Sequence, residues 1–351
     1  MSRDEKYMWR CLQLAKKGLG NTKNNPLVGS VIVHNDRIIG EGYHRKIGEA
    51  HAEVNAISSV KDSTLLKDST LYVSLEPCSH YGKTPPCAEL IANKKIPRVV
   101  VAVTDPNDKV AGRGIQTLRD AGVTVTVGVL EEEARTLNES FFVNQTKRRP
   151  YVILKWAQTK DGFIDNVRLN NDLPPLKLSN SITKCIVHKL RSQTMGIMIG
   201  TNTALKDNPS LSTRKWYGDN PTRIVIDKTG KLPTNSQVFN NEAPTLIFTE
   251  LEYYPVTGNT TAYRINFDGE VIEQILNKLH ELNIATVMIE GGNILLTSFI
   301  KNNLWNEAFI EVADIKIGCG TTAPLVSGSF INAKKYIDSL HFHIKKEITR
   351  N

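Results

Sequence analysis

No apolar run in this chain approaches the roughly 20 residues that a membrane span needs. Its longest apolar stretches, such as Val99–Val103 and Ile197–Ile199, read instead as buried strands. Low-complexity segments and a polybasic arm are missing too, since the net charge of +8 is dispersed, with only short clusters such as Lys147, Arg148 and Arg149. That pattern points away from nucleic acid and membrane and fits small anionic ligands equally well. Arg3, Asp4, Glu5 and Lys6 stand where a secretory leader would have its apolar run and small residues; a cytoplasmic protein is expected. Cysteine is scarce and odd in number. Cys11, Cys78, Cys87, Cys185 and Cys319 are scattered over 351 residues, unlike a secreted disulfide framework, so metal binding is the better use for any pair.

What is present is globular in composition, with 40% hydrophobic, 23% charged and 7% aromatic residues, and the length favours two domains. Ser2 or Asp4 can cap a first helix with Tyr7, Met8, Cys11, Leu12 and Ala15 on one face. Strands are expected at Gly29–Val33, Arg37–Gly40, Thr70–Leu75, Arg98–Val103 and Val123–Val127, alternating with helices from Ala52 and over Gly114–Ala121, then Glu131–Asn144. This predicts a mixed sheet covered by helices on both faces. Charge and Pro150 break the pattern, placing a boundary that gives domains 1–146 and 147–351. Beyond it, strands are expected at Tyr151–Trp156, Gly196–Ile199, Arg223–Ile226, Thr245–Phe248, Thr286–Ile289 and Glu307–Val312, a second α/β domain. Asn166–Ser179 and Asn235–Glu242 read as loops, of a length that often borders ligands.

His51-Ala52-Glu53 is followed 27 residues later by Cys78, after Pro77, and nine further on by Cys87. An imidazole and two thiolates suit zinc, and three protein ligands leave the fourth tetrahedral position open, as catalysis requires. Glu53, an acceptor when ionised, can take a proton from metal-activated water and return it to the substrate. His-x-Glu with Pro-Cys and a later Cys is the zinc nucleobase-deaminase signature, in which the glutamate is not a ligand. Cys11, Cys185 and Cys319 read as small core residues, and His34, His188, His280, His341 and His343 as structural or surface histidines.

Eight residues separate Cys78 from Cys87 where the usual deaminase has two. This insert, Ser79-His80-Tyr81-Gly82-Lys83-Thr84-Pro85-Pro86, together with Asn25-Pro26-x-Val28-Gly29, Asp105-Pro106-Asn107 and Val110-Ala111-Gly112-Arg113-Gly114, closely resembles the bifunctional riboflavin-biosynthesis deaminase/reductase family. The resemblance implies a cytidine-deaminase-like three-layer N-terminal domain and a dihydrofolate-reductase-like α/β C-terminal domain. It also implies one zinc ion, a phosphoribosylaminopyrimidine substrate that loses ammonia, and NADPH-dependent reduction of the ribosyl group to ribityl. Asn25, His44, His80, Lys83, Thr84, Asp105 and Asn107 become substrate-binding candidates by the same match. Lys83 and His80 suit a sugar phosphate, and Asn25 and Asn107 can read base edges or hydroxyls.

Three C-terminal motifs fit the reductase: Lys155-x-Ala157-x-Thr159-x-Asp161-Gly162, Thr203-x-Leu205-x-Asp207-Asn208-Pro209-x-Leu211-x-x-Arg214, and Ile289-Glu290-Gly291-Gly292-Asn293. The last sets two glycines between a strand and a helix, where backbone N–H groups can approach a phosphate. The resemblance places Gln158, Thr203, Asp207, Gly292, Asn293, Ile294, Leu295, Leu296, Thr297 and Ser298 by the nicotinamide nucleotide, and Lys155, Arg191, Leu211, Arg214 and Glu290 by the substrate. Pro174–Ser179 departs from the family's Ser-x-Trp-Ile-Thr-like stretch, and Gln158 and Lys160 replace smaller or apolar residues. The partners expected are small molecules and further copies of this chain. Two other readings remain: a nucleobase deaminase acting on RNA with an accessory domain, favoured by a pI near 9.1, and a non-enzymatic module stabilised by zinc.

Overall fold

The computed structural model describes residues 1–81, 85–107, 111–168, 174–256 and 258–347, and divides into two compact units, Met1–Arg148 and Arg149–Asn351.

The first unit opens with α1 (Arg3–Ala15), capped reciprocally: Glu5 N donates to Ser2 Oγ at 3.2 Å and Ser2 N to Glu5 Oε2 at 2.6 Å. Next come β1 (Gly29–His34), β2 (Arg37–Tyr43), α2 (Ala52–Ser58), β3 (Thr70–Val73), α3 (Cys87–Asn93), β4 (Arg98–Val101), α4 (Arg113–Asp120), β5 (Thr124–Val127), α5 (Glu131–Leu137) and α6 (Glu139–Lys147). The sheet order is β2-β1-β3-β4-β5, with β1 antiparallel to both neighbours and β3, β4 and β5 parallel. Strand periodicity sorts the core into two halves. Val31, Val33, Tyr72 and Val100 meet α1 on one face, while Ile32, Leu71, Val73, Val99 and Val101 meet α2, α3 and α4 on the other. The result is three layers, helix on sheet on helix.

The single helix expected over Glu131–Asn144 is two. It breaks at Asn138, whose buried side chain accepts from Leu27 N at 2.7 Å and donates to Leu27 O at 2.9 Å. An amide committed to a distant backbone takes the chain out of helical geometry.

The second unit contains β6 (Tyr151–Thr159), β7 (Phe163–Asp165), α7 (Ser181–Ser192), β8 (Gly196–Gly200), α8 (Thr201–Asp207), β9 (Thr222–Ile226), β10 (Thr245–Thr249), β11 (Thr260–Arg264), α9 (Val271–Glu281), β12 (Thr286–Glu290), α10 (Asn293–Lys301), β13 (Glu307–Ala313), β14 (Thr321–Thr322), β15 (Ser329–Tyr336) and β16 (Ser339–Lys345). Nine strands form one sheet, β11-β10-β9-β8-β12-β6-β13-β16-β15, while β7 and β14 make a small ribbon. Pairing is parallel from β11 to β13 and antiparallel in the terminal hairpin. Leu154, Ile289, Ala308 and Ile310 turn one face to α9 and α10 in the core. The alternate positions, Lys155, Glu290, Phe309 and Glu311, share the opposite face. Two side chains depart from the expected core: Cys185 is half-buried and Cys319 exposed, whereas Cys11 is buried.

Candidate active sites

In the first unit, His51 is the residue that caps α2 and Cys87 is the first residue of α3, so two helix starts bring the ligand segments together. His51 Nδ1 lies 3.5 Å from Cys78 Sγ and 3.4 Å from Cys87 Sγ, and the three ligand atoms fall within 4.8 Å of one another. Tetrahedral zinc with ordinary bond lengths separates such a nitrogen and sulfur by about 3.6 Å. The donor set therefore fits zinc in both chemistry and spacing.

Cys87 N donates to Cys78 Sγ at 3.3 Å. The Cys87 thiol and His51 lower the pKa of the Cys78 thiol, while Cys78 and burial raise that of Cys87. Glu53, in the first turn of α2, is 3% exposed, and burial raises its carboxyl to about 7, where it can both accept and donate.

His44 packs edge-on against His51 with ring centroids 5.7 Å apart. Its Nδ1 lies 3.2 Å from Ala50 O and its Nε2 3.1 Å from Asn25 Nδ2. A carbonyl only accepts, so His44 carries its proton on Nδ1 and accepts from Asn25 on Nε2. Burial lowers its pKa, reinforcing the neutral ring.

Asp105, pushed up by burial and close enough to His80 to be lowered by it, accepts from Asn107 N at 2.8 Å. Asn25, His44, Asp105 and Asn107 thus gather around the metal ligands or the Cys78 segment, while His80 is exposed. Lys83 and Thr84 lie outside the described residues. Sequence reasoning missed Glu76. This buried carboxylate accepts from the backbone N–H groups of Asp105 (3.1 Å), Gly112 (3.0 Å), Gly114 (2.9 Å) and Ile115 (3.3 Å). Its position immediately before Pro77-Cys78 was the available signal.

In the second unit a cavity of about 1150 Å³ opens at the carboxyl ends of β8, β9 and β12, where parallel α/β sheets bind ligands. Gly200 leads into α8, and Gly291-Gly292 into α10. Gly291 has φ +130, and a Cβ there would come within 2.9 Å of Thr203 Oγ1, which accepts from Gly292 N at 3.0 Å. Glycine is therefore required where the backbone of β12 turns toward the cavity. Arg191 grips Glu290 through Nη2–Oε2 at 2.6 Å and Nε–Oε1 at 3.3 Å. Burial opposes ionisation of Glu290, but Arg191 and Lys155 outweigh it and hold its pKa below the ordinary value.

Lys155, Arg191, Leu211, Glu290, Thr203, Asp207, Gly292, Asn293, Ile294, Leu295 and Ser298 line this cavity. Four candidates are placed elsewhere. Leu296 is fully buried in the core, because its position in α10 faces the sheet. Thr297 turns back to Asn293 Oδ1 at 2.6 Å. Gln158 accepts from Trp156 Nε1 at 2.7 Å, and Arg214 is an exposed side chain bonded to Ser210 Oγ at 2.9 Å. The loop at 166–179 borders the cavity through Asn166, Arg168 and residues 175–179. Arg168 is held by Asp165 and Asp207, a pairing that no local pattern announces.

A three-layer unit with a zinc-type His/Cys/Cys cluster beside a buried glutamate, and a parallel-sheet unit with a cation-lined cavity, define a bifunctional enzyme joining a zinc-dependent deaminase to a reductase. Residues 1–103 match the family model of the cytidine and deoxycytidylate deaminase zinc-binding region, and residues 150–348 that of the RibD C-terminal domain. The riboflavin biosynthesis protein RibD of Aquifex aeolicus is 40% identical over 90% of this chain and 88% of its own length. That of Bacillus amyloliquefaciens is 38% identical over 97% and 92%. A crystal structure from Thermotoga maritima, described as a diaminohydroxyphosphoribosylaminopyrimidine deaminase/5-amino-6-(5-phosphoribosylamino)uracil reductase, superposes with a TM-score of 0.88 at 34% identity, covering 98% of this chain and 99% of that one. This chain belongs to the RibD family, the bifunctional deaminase/reductases of riboflavin biosynthesis, with a zinc-binding deaminase domain and an NADPH-using reductase domain. No described helix is long and apolar enough to cross a membrane.

Proposed function

We propose that the chain deaminates 2,5-diamino-6-(5-phosphoribosylamino)pyrimidin-4(3H)-one and then reduces the ribosyl group of the product to ribityl, each step in its own unit. The observation that carries the first step is the set of His51 Nδ1, Cys78 and Cys87 sulfurs beside buried Glu53. These three residues would hold zinc, which would supply the Lewis acidity that makes water a nucleophile toward the ring carbon bearing the 2-amino group. Glu53, buried beside the ligand residues, would take a proton from that water and deliver it toward the departing ammonia. Asn25 orients the ring, its own amide fixed by the neutral imidazole of His44.

In the second unit, Gly291, Gly292 and Thr203 at the starts of α10 and α8 receive the dinucleotide phosphates. NADPH supplies the reducing equivalents, and Arg191, Glu290 and Lys155 hold the sugar phosphate and its reacting end. The size of the cavity and its many lysine and arginine side chains support two anionic ligands side by side. The test is metal analysis of the purified chain coupled to assays of both steps on the phosphoribosylaminopyrimidine. One zinc per chain, ammonia release and NADPH oxidation should be found together. Ammonia release with no reduction of the deaminated product would overturn the assignment of the second unit.

A further inference from the structure

On the polar face of the second sheet, Lys155 pairs in register with Glu290 on β12 and Phe309 on β13. Glu311, two residues beyond Phe309, shares that face. It is 1% exposed and lines a smaller pocket of about 220 Å³, which has Lys155 in common with the large cavity and is completed by Leu190, Phe309 and His341 among others.

A carboxylate this deep is costly unless its oxygens are met. One oxygen accepts from Ser179 Oγ at 2.6 Å; the other, 3.8 Å from His341 Nε2, has no hydrogen-bond partner among the described residues, which leaves the Ser179 hydroxyl as the contact that holds the carboxylate. Burial alone would raise the pKa of Glu311, but the nearby His341, the Ser179 hydroxyl and the charge of Lys155 outweigh it and hold the carboxyl below its ordinary value. Glu311 is therefore an ionised anchor.

What it anchors is the cavity. Residues 175–179 form part of the wall of the large cavity, and Ser179 is their last member. The next residue, Asn180, caps α7 by accepting from Ile182 N and Thr183 N at 3.0 Å each. It also donates to Tyr336 O at 3.0 Å and Asp338 Oδ1 at 2.8 Å. The end of the wall and the start of the helix that carries Arg191 are thus tied to β13 and the terminal hairpin. In the sheet order, β13 lies beyond β6 from β12 and β8, the strands that lead to the glycine and threonine turns. The anchored wall accordingly borders the Lys155 side of the cavity.

We propose that Glu311 is a positioning residue for the substrate end of the reductase cavity, the end marked by Lys155, fixing the wall at residues 175–179 through its bond with Ser179. This rests on the assignment of the large cavity to the reductase reaction. The test uses the full chain and follows NADPH oxidation with the deaminated ribosylaminouracil. Ser179→Ala and Glu311→Met should each raise the KM for the deaminated substrate about tenfold with kcat nearly unchanged. The double variant should be no worse than the poorer single, because both break one shared contact. NADPH affinity measured by fluorescence titration, and ammonia release, should stay within about twofold of the parent. Additive effects, an unaltered KM in Ser179→Ala, a loss confined to kcat, or an equal loss of NADPH affinity would each overturn the proposal. Arg191→Ala and Glu290→Gln separate its failure from that of the parent reading: if they too leave reduction intact, the cavity is not the reductase site.

Discussion

Glu53 and the metal ligands do different work, so replacing them should have different consequences. Glu53→Gln keeps the side chain's size and leaves His51, Cys78 and Cys87 in place. Zinc content should be retained while ammonia release falls by a factor on the order of 10³, the middle of the range for removing a general acid–base group. Reduction of the deaminated intermediate, followed by NADPH absorbance, should persist; loss of both activities together would refute the two-site picture. A second residue prediction concerns stability. His188 on α7 is 5% exposed with Nδ1 lacking a hydrogen-bond partner, and burial, with Arg191 and Arg214 nearby, lowers its pKa to about 4. A depressed histidine stabilises the fold above its unfolded value near 6.5, and that contribution is lost as pH falls toward 4. Between pH 7 and pH 4 it costs about 2–3 kcal/mol. His188→Leu should flatten that part of the denaturation profile, and a parent-like slope would show that His188 is not its source. At this scale the sequence was most legible for His51, Glu53, Cys78 and Cys87, whose chemistry is carried by residue type and spacing. The tautomer of His44 was not, since it depends on Ala50 O and Asn25 arriving from separate segments.

At the scale of elements, the Cys78 segment is held by a close approach. A Cβ on Gly114, at the start of α4, would lie 1.9 Å from Pro77 O, and the carboxylate of the preceding Glu76 gathers the N–H groups of Gly112, Gly114 and Ile115. Gly114→Ala must therefore push α4 away from the segment that carries Cys78. It should destabilise the first unit by about 3 kcal/mol and speed zinc loss to a chelator, both measurable by thermal denaturation and metal release. Unchanged zinc retention would show that α4 does not set the position of Cys78. Element existence was readable wherever one face is apolar: β1, β4, β8 and β12 fall where the β-branched runs predict. β16 was not anticipated even though Leu340, Phe342 and Ile344 alternate along it, and four other strands left no such trace. β15 is exposed at nearly every position, β7 and β14 are very short, and β11 is half-exposed at the sheet edge. With no buried face there is no period of two to read.

For the molecule as a whole, two complete sites on one chain imply that defects in different units complement one another. A mixture of Glu53→Gln and Glu290→Gln proteins should convert the diamino substrate to the ribityl product, because released intermediate can reach the intact reductase of the other variant. Neither protein alone should do so. Failure of the mixture to form product, with each remaining half-reaction intact, would require the intermediate to be handed over within one chain. What the sequence determined by itself was the chemistry of the first unit, the presence of two α/β units and the family, because ligand type, insert length and strand–helix rhythm are local properties of the chain. Tertiary structure alone decided which residues of the second unit share a cavity. Lining depends on which face of a strand or helix a side chain occupies. Leu296, in the middle of the α10 motif, is therefore core, while Glu311, remote from every motif, holds Ser179 at the end of a loop whose sequence announced only that it could border a ligand. The same distinction put Glu76 among the determinants of the deaminase site: its four backbone partners lie 29 to 39 residues away, and only the folded sheet brings them within hydrogen-bonding distance.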